Sequence, residues 1–132
     1  MAVREGEIAR FGVHEMTLTQ EVEALAVDLQ PVDPCVQILD RRIRSMELRL
    51  RPRKPGDAYV PEGHTQPRRL KDLMIARRIP ASQRACWPLL VIAETNQIVC
   101  GPRLPVNREF TPSSVGGGHV RVSWKKAGAS LD

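Results

Sequence analysis

Aromatic residues are scarce, 4% of 132. A core must therefore be built from Leu, Val, Ile and Ala. Cysteine is equally thin: Cys35, Cys86 and Cys100 stand far apart with no CxxC pair, which argues against a disulfide framework or a zinc site and fits a reducing compartment. His14, His64 and His119 are scattered and form no HxxxH pattern, so no metal is assigned. The longest aliphatic run, Leu89 to Ala93, is too short to span a bilayer. The start, Met-Ala-Val-Arg-Glu-Gly-Glu, is charged where a signal peptide is apolar. A cytoplasmic location without membrane attachment is the expectation. GxSxG, HExxH and GxxxxGK[ST] are absent, and Gly116-Gly117-Gly118 precedes the strand-like His-Val-Arg-Val-Ser, so it is not a P-loop. No residue is assigned a catalytic role.

Charge is present and unevenly placed. Residues 1–40 hold two basic and eight acidic residues, residues 41–88 thirteen basic and four acidic, and residues 89–132 five basic and three acidic. A basic block of this density points to a polyanion, nucleic acid above all. A charge-balanced fold, with the acidic arm packed beside the basic body, would account for the same asymmetry.

With 132 residues and 14.8 kDa the chain is one domain with an arm. Eleven prolines and nine glycines favour short elements over a long-helix bundle. Ile8–Val13 and Met16–Thr19 read as short strands around a turn near Gly12–His14. Glu21–Leu29 fits a strand or a helix. Cys35–Asp40 is a strand candidate, and Met46–Arg51 alternates strictly between apolar and charged residues, a half-buried strand. Pro55-Gly56 suits a type II turn. Leu70, Leu73 and Met74 form an apolar stripe at helical spacing, predicting a helix over about 68–78 that Pro80 ends. In such a helix Lys71 and Arg78 share one flank, while Arg77 falls awkwardly within the apolar stripe and either snorkels or marks fraying. A short second helix is expected over about 82–87, a hairpin over 89–100 and a last strand over His119–Trp124, with Lys125–Asp132 disordered. The fold class is α+β: a small strand-rich domain with one clear helix and a short second one. Three parts are distinguished: an acidic strand-rich part, 1–45; a core, 46–112; and a Gly-rich joint and tail, 113–132.

The stretches that stand out are Leu50-Arg51-Pro52-Arg53-Lys54-Pro55-Gly56-Asp57, Arg69-Leu70-Lys71-Asp72-Leu73, Arg78-Ile79-Pro80, Arg84, Pro88-Leu89-Leu90-Val91 and Ile98-Val99-Cys100. In order and spacing they resemble the C-terminal domain of tRNA(Ile)-lysidine synthetase, a domain related to one in the phenylalanyl-tRNA synthetase β subunit. The core of the resemblance covers about 46–110, and the preceding strands with the Leu39-Asp40 lead-in carry its start to near residue 5.

The resemblance implies an α/β tRNA-binding module of an ATP-dependent ligase. That family converts the wobble cytidine of an isoleucine tRNA to lysidine, adenylating the base with ATP and displacing AMP with free lysine. The chemistry belongs to a PP-loop domain marked by S-G-G-x-D-S, a signature this sequence does not contain. No cofactor is thus expected in this chain, and a separate PP-loop chain is a candidate partner. The C-terminal domain grips tRNA near the acceptor stem. Carried over residue by residue, Arg51, Arg53, Arg69, Lys71, Arg78 and Arg84 are the candidate RNA contacts, with Gly56 and Asp57 shaping the turn and orienting the arginines. Where the family often has W-V-P-G-[LI]-R, this chain reads Cys100-Gly101-Pro102-Arg103-Leu104-Pro105, with Arg103 in place of a usual glycine, and no function is transferred to that loop. The reading from another class is a protein-interaction or regulatory module, its acidic arm masking the basic face.

Overall fold

The computed structural model describes residues 2–3, 8–11, 14–21, 35–112 and 119–126. Its strands are β1 (Ala2–Val3), β2 (Ile8–Phe11), β3 (His14–Glu21), β4 (Val36–Leu39), β5 (Leu48–Arg51), β6 (Ala58–Tyr59), β7 (Arg68–Arg69), β8 (Leu89–Ile92), β9 (Ile98–Cys100) and β10 (His119–Lys126). The helices α1 (Leu70–Ala76) and α2 (Ala81–Arg84) lie between β7 and β8, and 3-10 turns occupy Arg41–Ser45 and Arg108–Phe110. The α+β class expected from the sequence is what forms.

Two four-stranded antiparallel sheets carry the fold. One runs β1-β5-β8-β9 and the other β2-β3-β10-β4; β6 and β7 make a separate two-stranded ribbon. Strand alternation decides the layering. In β8 all four side chains are buried: Leu90 and Ile92 face the other sheet, while Leu89 and Val91 join the cluster under the helices. The first cluster is sealed from the second sheet by Met16, Leu18, Leu39, Val120, Val122 and Trp124. The second holds Leu70, Met74, Ile79 and Trp87 against Ile98 and Leu104. The result is sheet, sheet, then helices. β8 reads as a continuous apolar run because it is the strand covered on both faces.

The expected hairpin over 89–100 is the β8–β9 pair. Its register shifts between Leu90 and Val91, and the extra residue of this bulge leaves both Val99 and Cys100 in the inter-sheet core. The expected pair around Gly12–His14 is β2–β3, with Phe11 opposite His14. The last strand runs two residues further than expected, because Lys125 and Lys126 pair with Glu15 and His14. Pairing of β10 with both β3 and β4 joins segments from the two ends of the sequence in one sheet. The alternatives for Glu21–Leu29, beyond the end of β3, and the glycine joint lie outside the described residues.

Both helices are shorter than expected. Arg68 and Arg69 pair as β7 with Tyr59 and Ala58, and the Leu70 N–H bonds to the Asp57 carbonyl at 2.9 Å, so the helix begins at Leu70. It ends before Pro80 acts. The Ile79 N–H bonds to the Met74 carbonyl and the Arg78 N–H to the Ile75 carbonyl, both at 3.0 Å, with Arg78 at φ 57°. That is a Schellman cap, and the usual apolar contact accompanies it: Met74 and Ile79 are buried in one cluster. Arg77 is the C-cap, exposed rather than within an apolar stripe. Lys71 and Arg78 therefore do not share a helix flank; one follows the helix start and the other lies beyond its end. The second helix spans Ala81–Arg84 and not 82–87, continuing as a turn to Trp87.

One buried side chain fastens the layers together. The Gln37 amide nitrogen donates to the carbonyls of Gly101 and Leu104, both at 2.7 Å, and its oxygen accepts the Trp124 indole N–H at 2.7 Å. Gly101 must be glycine, since a Cβ there would lie 2.9 Å from the Pro88 carbonyl oxygen and from Leu104 Cδ1. By contrast, His119 is fully buried, and among the described residues neither ring nitrogen has a hydrogen-bond partner. Two outcomes are expected in urea unfolding. Gln37→Met, which strands two carbonyls and an indole N–H, should cost about 3 kcal/mol or more at roughly 1–3 kcal/mol per buried orphan. His119→Leu, which removes two orphans, should leave stability unchanged or raise it by about 1 kcal/mol.

Candidate nucleic-acid interface

Asp57 organises the basic residues nearest the start of α1. Lys54-Pro55-Gly56-Asp57 forms the type II turn the sequence called for: the Asp57 N–H bonds to the Lys54 carbonyl at 3.2 Å and Gly56 has φ 86°. The carboxylate then receives the Lys54 N–H at 2.8 Å and both terminal nitrogens of Arg51, at 2.9 and 3.0 Å. Arg51 also donates to Asn96 Oδ1 at 2.9 Å and to the Pro52 carbonyl. With the Asp57 carbonyl holding the Leu70 N–H, the end of β5, the turn and the start of α1 are tied at one residue. Around it sit Arg53, Lys54, Arg68, Arg69 and Lys71, all exposed or half-buried.

The Arg51–Asp57 pair is largely shielded, with side chains 12% and 13% exposed. Burial by itself raises the Asp57 pKa. The Arg51 hydrogen bonds, the Lys54 N–H and the two positive charges outweigh it, and the carboxyl is held below its ordinary value.

A second group gathers at the end of α1. Arg78 is exposed in its left-handed conformation. Arg84 is half-buried and donates through Nε to the Ile79 carbonyl at 3.0 Å. Arg103, also left-handed at φ 63°, donates to the Arg77 carbonyl at 2.8 Å. Arg103, which stands where the resembled family often has glycine, thus adopts a backbone conformation that favours glycine.

The structure brings Arg51, Arg53, Arg69, Lys71, Gly56 and Asp57 together at one end of α1, and Arg78 and Arg84 at the other. A helix of seven residues separates the two groups by about 10 Å. Sequence reasoning passed over Lys54, Arg68 and Arg103. The first two were visible in the basic block. The third was signalled by the glycine it replaces.

Among the described residues, no group of three or more His, Cys, Asp or Glu is placed to hold a metal, and no helix is long and apolar enough to cross a membrane. Burial pushes the thiol of Cys100 and the phenol of Tyr59 far up, so both are neutral at ordinary pH.

Two outcomes test this geometry. Asp57→Asn should cost about 3 kcal/mol at pH 7, because it leaves Arg51 shielded and uncompensated. Since the Asp57 pKa is depressed on folding, its contribution is present above the ordinary carboxylate pKa and lost as pH falls through the lower folded value. The gap between variant and wild type, measured by urea titration at stepped pH, should narrow only there. Arg78→Gly should stabilise the domain by roughly 0.5–1 kcal/mol through relief at the cap, read as a raised unfolding midpoint.

The family model for the TilS substrate C-terminal domain matches residues 48–124, taking in β5 through most of β10. The tRNA(Ile)-lysidine synthase of Symbiobacterium thermophilum is 33% identical over 88 residues, covering 67% of this chain and 18% of that protein. That of Shouchella clausii is 37% identical over 67 residues, 51% of this chain and 14% of that one. The chain thus spans less than a fifth of the length of these curated relatives. In fold it is similar to the crystal structure of a TilS C-terminal domain, with a TM-score of 0.78 at 18% identity over 94% of this chain and 93% of the other. With β5, β8, β9, both helices and the Arg51–Asp57 turn inside the matched span, this chain belongs to the TilS substrate C-terminal domain family.

Proposed function

We infer that this chain is the tRNA-binding C-terminal module of a tRNA(Ile)-lysidine synthase, holding an isoleucine tRNA by its acceptor region. The use of ATP and lysine falls to a PP-loop domain outside these 132 residues, in the same protein or in a separate chain. The module itself takes no cofactor, works in the cytoplasm and serves as a ligase subdomain without catalytic residues.

The observation that carries this reading is the placement of the cations on a domain of that family. Arg53, Lys54, Arg68, Arg69, Lys71, Arg77 and Arg78 are exposed or half-buried, and among the described residues none has a carboxylate within ion-pair distance. Single solvated cations are ordinary on a surface; seven of them along one 26-residue stretch fit a polyanion partner. Arg53, Arg69, Lys71 and Arg78 are assigned the phosphate contacts. Arg51 and Arg84, whose donors are engaged with Asp57 and the Ile79 carbonyl, position the turn and the helix end. Two groups about 10 Å apart suit successive points along one RNA backbone rather than a single phosphate. Contacts of this kind recognise the shape of an A-form stem more than its sequence.

Binding of an isoleucine tRNA transcript, followed by fluorescence anisotropy against salt, should give a log–log slope of about −3 to −4. No binding at about 50 mM salt would reject the reading. Lys71→Ala with Arg78→Ala should flatten the slope by about two units while leaving the unfolding transition in place, since both side chains are exposed.

A further inference from the structure

A cavity of about 190 Å³ opens beside the 101–105 loop that follows β9, lined by residues of the second sheet and of the helical segment. Its walls are Trp87, Trp124, His14, Cys35, Pro80 and Pro102, and its cations are Arg78, Arg103 and Lys125, with Gln83 beside them. Resting on the tRNA-binding reading above, we propose that this cavity receives one unpaired nucleotide of the bound RNA, the base entering among Trp87, Trp124 and the prolines and the phosphate meeting Arg78 and Arg103.

Three observations converge on it. The first is size and lining. The cavity is smaller than the roughly 300–1,000 Å³ of sites for drug-sized ligands, so it takes one ring system and leaves the rest of a nucleotide outside. Aromatic walls with cations beside them are the chemistry that holds unpaired bases.

The second is rigidity. The loop that forms one wall has its carbonyls held by side-chain donors from three elements: Gly101 and Leu104 by Gln37, Pro102 by the Trp87 indole at 2.9 Å, and Pro105 by the Tyr59 hydroxyl at 2.6 Å. Arg103 is presented from a fixed frame. Its bond to the Arg77 carbonyl uses one of five guanidinium donors.

The third is strain. Three non-glycine residues have positive φ among those described: Arg78, Asn96 and Arg103. Two of the three line this cavity, and both are arginines. Left-handed backbone at a bulky residue is unfavourable and clusters where function requires it. Lys125 is a weaker member, since its ammonium lies 3.6 Å from Glu15.

Trp87 and Trp124 are the two tryptophans of the sequence, so selectively excited tryptophan emission reports on this cavity. The test compares a blunt RNA duplex with the same duplex carrying a short single-stranded 3′ extension. The extended RNA should bind about tenfold more tightly and change the tryptophan emission; the blunt one should do neither. Arg103→Gly, which suits the left-handed backbone and so keeps the fold, should bring the ratio of the two affinities close to one. Arg69→Ala, remote from the cavity, should weaken both RNAs alike and preserve the ratio. Equal binding of both RNAs with unchanged emission overturns the cavity proposal and leaves the tRNA-binding reading standing. Failure of both RNAs to bind overturns both readings. Quenching by free AMP without any preference for the extension shows a free-nucleotide pocket and overturns the assignment to RNA.

Discussion

The architecture turns on the side-chain amide of Gln37. It sits on a strand of one sheet, yet its two donors go to a loop that follows the last strand of the other, and its acceptor is taken by a tryptophan on the neighbouring strand. A buried amide with those three bonds has both donors and its oxygen engaged where an orphan would be costly. Apolar packing brings the sheets face to face, but packing alone is indifferent to small slides. The three bonds of Gln37 are directional and select one alignment. The course of residues 101–105, the position of Arg103 and the cavity beside that loop all follow from it.

Asp57 does for the basic end what Gln37 does for the layers. Its carboxylate engages Arg51 and Lys54, and its carbonyl opens α1. An acid at the middle of a basic face looks counterproductive for the proposed phosphate contacts. Its pairing with a largely shielded arginine resolves this: the charge removed from the face is one that a phosphate would reach poorly, and the geometry gained places the more exposed cations. The same logic holds for Arg84, whose Nε bond to the Ile79 carbonyl supports the helix end from which Arg78 projects.

Strain collects at the opposite end. A Schellman cap normally uses glycine at the position taken by Arg78, and the loop at Arg103 keeps a glycine-like conformation with an arginine in it. Stability would be served by glycine at both. That two arginines occupy such positions, and that both border one cavity, separates what the fold needs from what the surface is used for.

Much of this was legible in one dimension. Strict alternation over Met46–Arg51, the apolar run at Leu89–Ile92 and the Pro-Gly turn are local signals, and local geometry honours them. The order of short motifs was enough to point to the family, because the turn, the helix start and the paired strands recur at fixed spacing. The ends of α1 were not legible. Its start depends on β6 pairing with Arg68 and Arg69, and its stop on a backbone cap at Arg78 that leaves no mark in a hydrophobic pattern, so the shared flank of Lys71 and Arg78 dissolved once the helix was seen to end between them. Whether an arginine is spent on Asp57 or free for a phosphate likewise depends on which side chains meet, not on their spacing. The sequence by itself determined most of the longer strands, the density of positive charge and the kinship of the domain, since these rest on local periodicity and composition. Only the tertiary structure decided which cations are engaged, which are exposed and which border a cavity, because hydrogen bonds between residues 60 or more positions apart, such as Gln37 to Gly101, form only when the layers close.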